Sequence, residues 1–151
     1  MENLNVTASV IISFAEELED SSAKFYERLA EKFVESKEIF LNFAKECDKN
    51  KTSVVRTYQE TISDALEAGF SFEGLNLSDY KVEATLAEDT NFPEALGIAI
   101  KLEANACKFY LDVAERSESL LATIPRAFSR VAKRRNNRKL KLETMLDESN
   151  G

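Results

Sequence analysis

The sequence predicts an all-α four-helix bundle. Apolar residues recur at three- and four-residue steps in four long stretches, which is the pattern of amphipathic helices. The 151 residues include only four Gly and two Pro, so long helices are favoured over tight turns. A chain of this length can bury the core of one domain. We therefore expect a single domain, residues 1–151, made of two antiparallel helical hairpins joined by a long crossover.

The first hairpin is predicted over residues 6–69. Its two helices span about residues 6–33 and 37–68, and each carries one apolar stripe. Asn5 and Thr7 are both suited to cap the start of the first helix, because their side-chain oxygens accept hydrogen bonds from helical N–H groups. The short connection between the helices predicts that they lie antiparallel.

The second hairpin is predicted over residues 92–147. Its first helix begins at Phe92-Pro93, where a proline suits the first helical turn, and its second helix covers about residues 124–147. Residues 70–91 between the hairpins are too many for a tight turn. They predict a crossover along the bundle that contains one short helical turn.

An internal repeat relates the first and third helices. Residues 14–30 and 98–114 align at an offset of 84 residues and share a Lys-Phe-Tyr segment. Two polar or aromatic pairs occupy matched positions in this alignment: Glu19 with Glu103, and Tyr26 with Tyr110. A carboxylate repeated on an apolar stripe indicates a functional or vestigial site rather than a solvated surface.

The apolar stripe of every helix is interrupted near its middle by polar or small residues. These interruptions fall at Glu19, Cys47, Asn50, Glu103, Arg135 and Arg138. Since apolar residues continue on both sides of each interruption, we expect the six positions to meet in one buried layer of the bundle.

The repeated helices are each followed by a second helix with a related motif, at Phe40–Lys45 and Phe128–Lys133. With these motifs the chain resembles the ferritin-like superfamily, most closely its rubrerythrin-like branch, over nearly its whole length. The resemblance implies a ferritin-like bundle. In such bundles two helices each supply a Glu and the other two each supply Glu-x-x-His, which together bind two metal ions. The corresponding positions here are Cys47-x-x-Asn50 and Arg135-x-x-Arg138.

This substitution pattern predicts that the di-iron site is degenerate. Four of the six ligands implied by the resemblance are replaced, and the chain contains no histidine. Arginine has no acceptor lone pair and stays protonated, so it cannot bind a metal ion. We expect no metal, no cofactor and no catalytic residue. The alternative is a divergent di-iron-type oxidoreductase that keeps iron on Glu19 and Glu103, helped by Glu46 or Asp48.

The two arginines are expected to replace the lost metal ions. Arg135 and Arg138 would pair with Glu19 and Glu103, which makes the layer neutral without a metal. The alternative is that the last helix is rotated and both arginines reach solvent.

Two tyrosines and two cysteines lie beside the predicted layer. Tyr26 and Tyr110 are interpreted as buried residues that donate hydrogen bonds, with redox chemistry as the alternative. Cys47 and Cys107 are interpreted as packing residues. The alternatives are that Cys47 binds a soft metal, or that a cysteine forms a reactive thiolate stabilised by Arg135.

The charge is unevenly distributed along the chain. The net charge is −7, yet residues 126–141 contain eight of the 20 Lys and Arg residues and no acid. Five of these cations lie outside the apolar stripe: Arg130, Lys133, Arg134, Lys139 and Lys141. They are interpreted as a solvated face that pairs with neighbouring acids. The alternative is a surface that binds an acidic partner or nucleic acid, although no interleaved aromatic residues favour nucleic acid.

The sequence therefore predicts a non-catalytic structural or protein-interaction module. A homo-oligomer, with a dimer as the expected form, is implied by the resemblance and by apolar Phe70, Phe72 and Leu75 in the crossover; the protein partner is not identified. The two cysteines do not form a disulfide framework, which favours the cytoplasm. No stretch has the length of apolar residues that a membrane span requires.

Overall fold

The computed structural model describes residues 7–61, 72, 74–117 and 123–150. These residues form four long helices and two short 3-10 helices, and no strand occurs among them. The long helices are α1 (Ala8–Lys32), α2 (Lys37–Thr61), α3 (Phe92–Arg116) and α4 (Thr123–Asn150). The all-α, four-helix prediction is confirmed. Within the described ranges, no helix combines the length and the apolar character needed to cross a bilayer.

The start of α1 is set by a side-chain cap. The Thr7 side chain accepts a hydrogen bond from the Val10 backbone N–H at 3.4 Å. Phe33 leaves the helical conformation with φ −117°, so α1 ends at Lys32, one residue before the predicted end. A single 3-10 turn, Val34–Ser36, then leads into α2. Asn5 and the predicted end of the second helix at residue 68 lie outside the described residues.

The start of α3 lies where the sequence predicts it. The Asn91 side chain accepts from the Glu94 backbone N–H at 2.9 Å, and the Glu94 carboxylate accepts from the Asn91 N–H at 3.0 Å. This reciprocal pair satisfies two backbone donors that a helix start leaves free. At the other end of the chain, α4 continues to Asn150 because no Gly or Pro interrupts it after the predicted end at residue 147.

The segment predicted to form the crossover is described at residues 72 and 74–91, and it contains the predicted helical turn, a 3-10 helix at Leu77–Tyr80. Phe72 and Leu75, apolar residues from which the sequence predicts self-association, are buried within their own chain. Their side chains are only 3% and 8% exposed and belong to the apolar core of their own chain. They bury apolar area within the chain, so they do not support self-association. Phe70, named with them, lies outside the described residues.

The crossover is attached to α3 by a polar contact. The Tyr80 hydroxyl donates to Asp112 Oδ2 at 2.6 Å, and the Lys108 ammonium reaches the same oxygen at 3.0 Å. The Tyr80 ring packs edge-on against Phe109 with 5.5 Å between the ring centroids. These contacts hold the 3-10 turn against α3, with Tyr80 buried in the apolar core.

The core consists of two apolar clusters. The first contains buried residues from positions 8–18 of α1, Val54 of α2, 106–114 of α3 and 124–132 of α4. The second contains buried residues from positions 23–30 of α1, 40–47 of α2, 95–102 of α3 and Leu142 of α4. Along α1, α3 and α4, buried polar residues separate the two clusters. The helices therefore carry polar groups through the middle of an apolar core, where each group needs a partner.

The helices contact one another unequally. α1 packs mainly against α2, and α3 packs mainly against α4. The next most extensive contact joins α2 to α4. Across this last contact, Arg134 and Arg138 of α4 reach Asn50 and Glu46 of α2.

Candidate functional site

Six buried residues from all four helices form the polar layer. They are Glu19 and Ser22 of α1, Cys47 of α2, Glu103 of α3, and Arg135 and Arg138 of α4. None of the six is more than 3% exposed. The charges of the layer are therefore shielded from water. Each charge interacts mainly with the other groups of the layer, because solvent screens it little.

Arg135 lies at the centre of the polar layer and bridges both carboxylates. Its guanidinium contacts Glu19 twice, Nη2 to Oε1 at 2.9 Å and Nε to Oε2 at 3.3 Å. Its Nη1 donates to Glu103 Oε2 at 2.8 Å, and Nη2 also reaches Ser22 Oγ at 3.1 Å. The planar fork of arginine suits this role, because a lysine ammonium could not present donors in a fixed two-pronged geometry.

Arg138 joins the polar layer to the surface. Its Nη1 donates to Glu103 Oε2 at 3.1 Å and lies 3.3 Å from Cys47 Sγ. Its Nη2 donates at 3.0 Å to Glu46, whose side chain is 52% exposed. The guanidinium also lies 5.2 Å from the centroid of the Phe43 ring, close enough for a cation–π contact. One arginine thus pairs with a buried and an exposed carboxylate.

The two repeated tyrosines exchange hydrogen bonds across the repeat. The Tyr26 hydroxyl of α1 donates to Glu103 of α3, and the Tyr110 hydroxyl of α3 donates to Glu19 of α1. Burial, reinforced by the glutamate that each one faces, raises the pKa of both tyrosines well above the ordinary value. Both phenols therefore stay neutral and act as donors to the carboxylates.

Opposite charges hold Glu103, Arg135 and Arg138 in their charged forms. Burial alone would raise the pKa of Glu103, but Arg135 and Arg138, with the Tyr26 hydrogen bond, hold that pKa below its ordinary value. Burial would lower the pKa of both arginines, but the attraction of Glu103 keeps each pKa above the ordinary value. Two carboxylates and two guanidiniums make the layer formally neutral.

The structure brings together five of the six predicted positions. Asn50 is buried as well, but it contacts Arg134 instead of the layer, with Oδ1 accepting from Nη1 at 3.2 Å. Ser22 occupies a place in the layer that sequence reasoning did not assign to it. Ser22 lies on the apolar stripe of α1, one turn after Glu19, and this position could have predicted its place in the layer.

Two alternatives from the sequence are not supported by the side-chain positions. The oxidoreductase alternative needs Glu46 or Asp48 to turn inward, but both residues are exposed, and Glu46 meets Arg138 from the surface. The reason is the rotation of α2, which points Cys47 into the layer. The alternative with solvent-facing arginines is wrong, because Arg135 is fully buried and Arg138 is 3% exposed.

The donor set does not fit a di-iron centre. Across the described part of the chain, no three or more His, Cys, Asp or Glu side chains are grouped so that they could hold a metal ion. Glu19 and Glu103 are the two carboxylates of the polar layer, and each is held by a guanidinium within 3 Å. A divalent ion would have to displace Arg135 and lie beside two permanent cations.

The thiol of Cys47 is held in its neutral form. Burial raises its pKa to about 12, although Arg135 and Arg138 act in the opposite direction. We expect Ellman's reagent at neutral pH to leave Cys47 unmodified in the native protein, because the thiolate is the reactive form. Partly buried Cys107 should account for the native reaction.

The matched control is a pair of single variants. Cys47→Ser should leave the native rate of labelling unchanged, and Cys107→Ser should abolish native labelling. Both thiols of the wild type should react in guanidinium chloride. Rapid native labelling of the Cys107→Ser variant would show that Cys47 is a reactive thiolate after all.

Comparisons with protein-family models, with curated proteins and with solved structures found no match to this chain. No relative therefore bears on its function. The resemblance to the ferritin-like superfamily stays a prediction, and the chemistry of the polar layer supplies the grounds for a functional proposal.

Proposed function

We propose that the protein is a non-catalytic, ferritin-like helical module in which a permanent Glu–Arg layer replaces a di-iron centre. The observation that carries this proposal is the position of Arg135, which bridges Glu19 and Glu103 without any exposure to solvent. In the proposed ancestor, metal ions neutralised the carboxylates. Here a guanidinium has that role, so folding needs no metal.

The order of the core residues supports a ferritin-like arrangement. Along the chain, α1 and α4 pass from the first core cluster to the second, whereas α2 and α3 pass from the second to the first. This order favours two antiparallel hairpins, α1 with α2 and α3 with α4. It also favours a crossover that returns along the bundle, because α2 and α3 run in the same direction.

The pKa values and the ion pairs of the layer's side chains support a non-catalytic role. A general acid or base needs a pKa near the working pH, but the tyrosines and Cys47 of the site have pKa values raised far from neutrality. The carboxylates are engaged by arginines, and the chain has no histidine. We propose a structural or protein-interaction role, in the cytoplasm and as a homodimer.

Metal analysis tests this proposal. Purified protein is incubated anaerobically with excess Fe(II), Mn(II) or Zn(II), desalted, and measured by inorganic mass spectrometry. We expect less than about 0.1 ion per chain and no rise in the melting temperature, since the site offers no set of free ligands. One or two tightly held ions per chain would overturn the proposal and favour the iron-dependent oxidoreductase.

A further inference from the structure

A basic groove runs between α2 and α4. Its volume is about 930 Å³, within the size range of small-molecule sites. Among the described residues, six Lys or Arg side chains and three acidic side chains line it, although the whole chain carries a net charge of −7. Four of the cations follow one side of α4, namely Arg130, Arg134, Arg138 and Lys141. The described lining of the groove is therefore net positive, whereas the whole chain is net negative.

Most of these α4 cations lack an acidic partner. Arg138 pairs with Glu46 and Glu103. Arg130, Arg134 and Lys141 form no ion pair with any residue in the ranges that the structure describes. Unpaired like charges held close together repel one another, so a bound anion would be favoured. The prediction that the basic residues of this face form ion pairs with neighbouring acids is wrong for Arg130, Arg134 and Lys141.

Two residues of the groove lining carry buried donor atoms that have no acceptor in the described part of the chain. Asn50 is 1% exposed, and its Nδ2 has no hydrogen-bond partner in the described chain. The Oδ1 of the same amide accepts from Arg134, which identifies the remaining atom as the donor. The Nε of Arg138 is likewise buried without a partner among the described residues. Buried donors of this kind carry a desolvation cost that an acceptor atom from a ligand would remove.

We propose that this groove binds a small ligand that carries several phosphate groups. Arg130, Arg134 and Arg138 are spaced by successive helical turns, about 6 Å apart along α4. This spacing suits consecutive phosphates, each accepting hydrogen bonds from a guanidinium fork. Asn50 belongs to the groove lining, and its buried Nδ2 is a neutral donor without a partner among the described residues. Phe43 is the single aromatic residue in the lining that the structure describes, so stacked nucleic-acid bases are not favoured.

Glu46 is expected to compete with the ligand. Its carboxylate lies in the groove lining and already accepts from Arg138 Nη2. A phosphate oxygen that reaches this donor would have to displace it. Glu46→Gln should therefore strengthen phosphate binding roughly two- to fivefold, the range expected for loss of an exposed charged competitor.

Isothermal titration calorimetry of the full chain with tripolyphosphate at low salt tests the proposal. Arg130→Gln/Arg134→Gln should weaken binding at least about tenfold, because charge-assisted hydrogen bonds are lost. Lys133→Gln/Lys139→Gln removes the same charge from α4 outside the groove lining and should change the affinity less than about twofold. Far-ultraviolet circular dichroism checks that each variant is folded.

Three results would overturn the proposal. One is the absence of binding to tripolyphosphate by the wild type, and another is equal affinity of the two double variants. The third is tighter binding of poly-glutamate or an oligo-dT strand through the same arginines, which would assign the groove to a macromolecule. The groove shares Arg138 with the polar layer, but the variants Arg130→Gln/Arg134→Gln leave the layer unchanged, so these results and those of the metal analysis are independent.

Discussion

Replacement of Arg135 by leucine is expected to lower the free energy of unfolding by about 3–5 kcal/mol. The substitution leaves Glu19 buried without its cation, because its other hydrogen-bond donor is the neutral Tyr110 hydroxyl. Glu103 is affected less, since Arg138 remains 3.1 Å from it. For a domain of this size the loss corresponds to a fall in melting temperature of roughly 10 °C.

The double variant Glu19→Gln/Arg135→Leu separates the loss of charge pairing from the loss of packing. The amide introduced on α1 would be neutral, and its oxygen could still accept from Tyr110, so the double variant should melt above the Arg135→Leu single variant. Arg126→Leu on the exposed side of α4 is the control and should change stability by no more than about 0.5 kcal/mol. If the single variant is as stable as the double variant, the buried pair does not compensate Glu19.

Restoring the ligands implied by the resemblance is expected to create a metal site. The variant combines Cys47→Glu, Asn50→His, Arg135→Glu and Arg138→His, which gives α2 and α4 the Glu-x-x-His pattern. Without metal, four carboxylates would share one buried layer, and the protein should be strongly destabilised. Metal at about 100 times the dissociation constant should stabilise it by roughly 2.7 kcal/mol per site.

Thermal melts with and without Mn(II) or Zn(II), and mass spectrometry after desalting, measure this effect. We expect about two ions per chain in the four-residue variant, in line with the six ligands. The control carries only Arg135→Glu and Arg138→His and should hold fewer ions, because α2 then lacks the Glu-x-x-His pair. A folded four-residue variant that gains neither metal nor stability would contradict the ferritin-like arrangement that we propose.

The polar layer is stable only when its buried carboxylates are neutralised. A layer of carboxylates is tolerable in an apolar core only if cations neutralise it. A metal ion brings redox chemistry but makes folding depend on metal supply. Arg135 and Arg138 belong to the chain itself, so neutralisation is permanent. We therefore expect stability that does not change when chelators are added.

Much of the fold was predictable from local patterns. The spacing of apolar residues located four helices, and Pro93 predicted the start of α3, because the first turn of a helix depends on adjacent residues alone. The burial of Glu19 and Glu103 was also predictable, since each interrupts an apolar stripe at the same position of a repeat. Helix ends were placed less well, as the one-residue difference at Phe33 shows.

The partners of each side chain were decided by the tertiary structure. Periodicity assigned Arg135 and Arg138 to the interior, but it did not show that Arg135 contacts both glutamates while Arg138 reaches from Glu103 to Glu46. An arginine side chain is long and flexible, so its contacts depend on the axial offset and rotation of helices far apart in sequence.

The contact between Asn50 and Arg134 also depends on how two helices far apart in sequence pack together. The sequence by itself determined four amphipathic helices, the repeat and the set of charges near their midpoints. Only the packing of α4 against α2 placed Arg134 within reach of Asn50 and opened the basic groove beside the polar layer. Local sequence specifies which face of a helix is buried, whereas the distance and rotation between two helices arise from all the side chains packed between them.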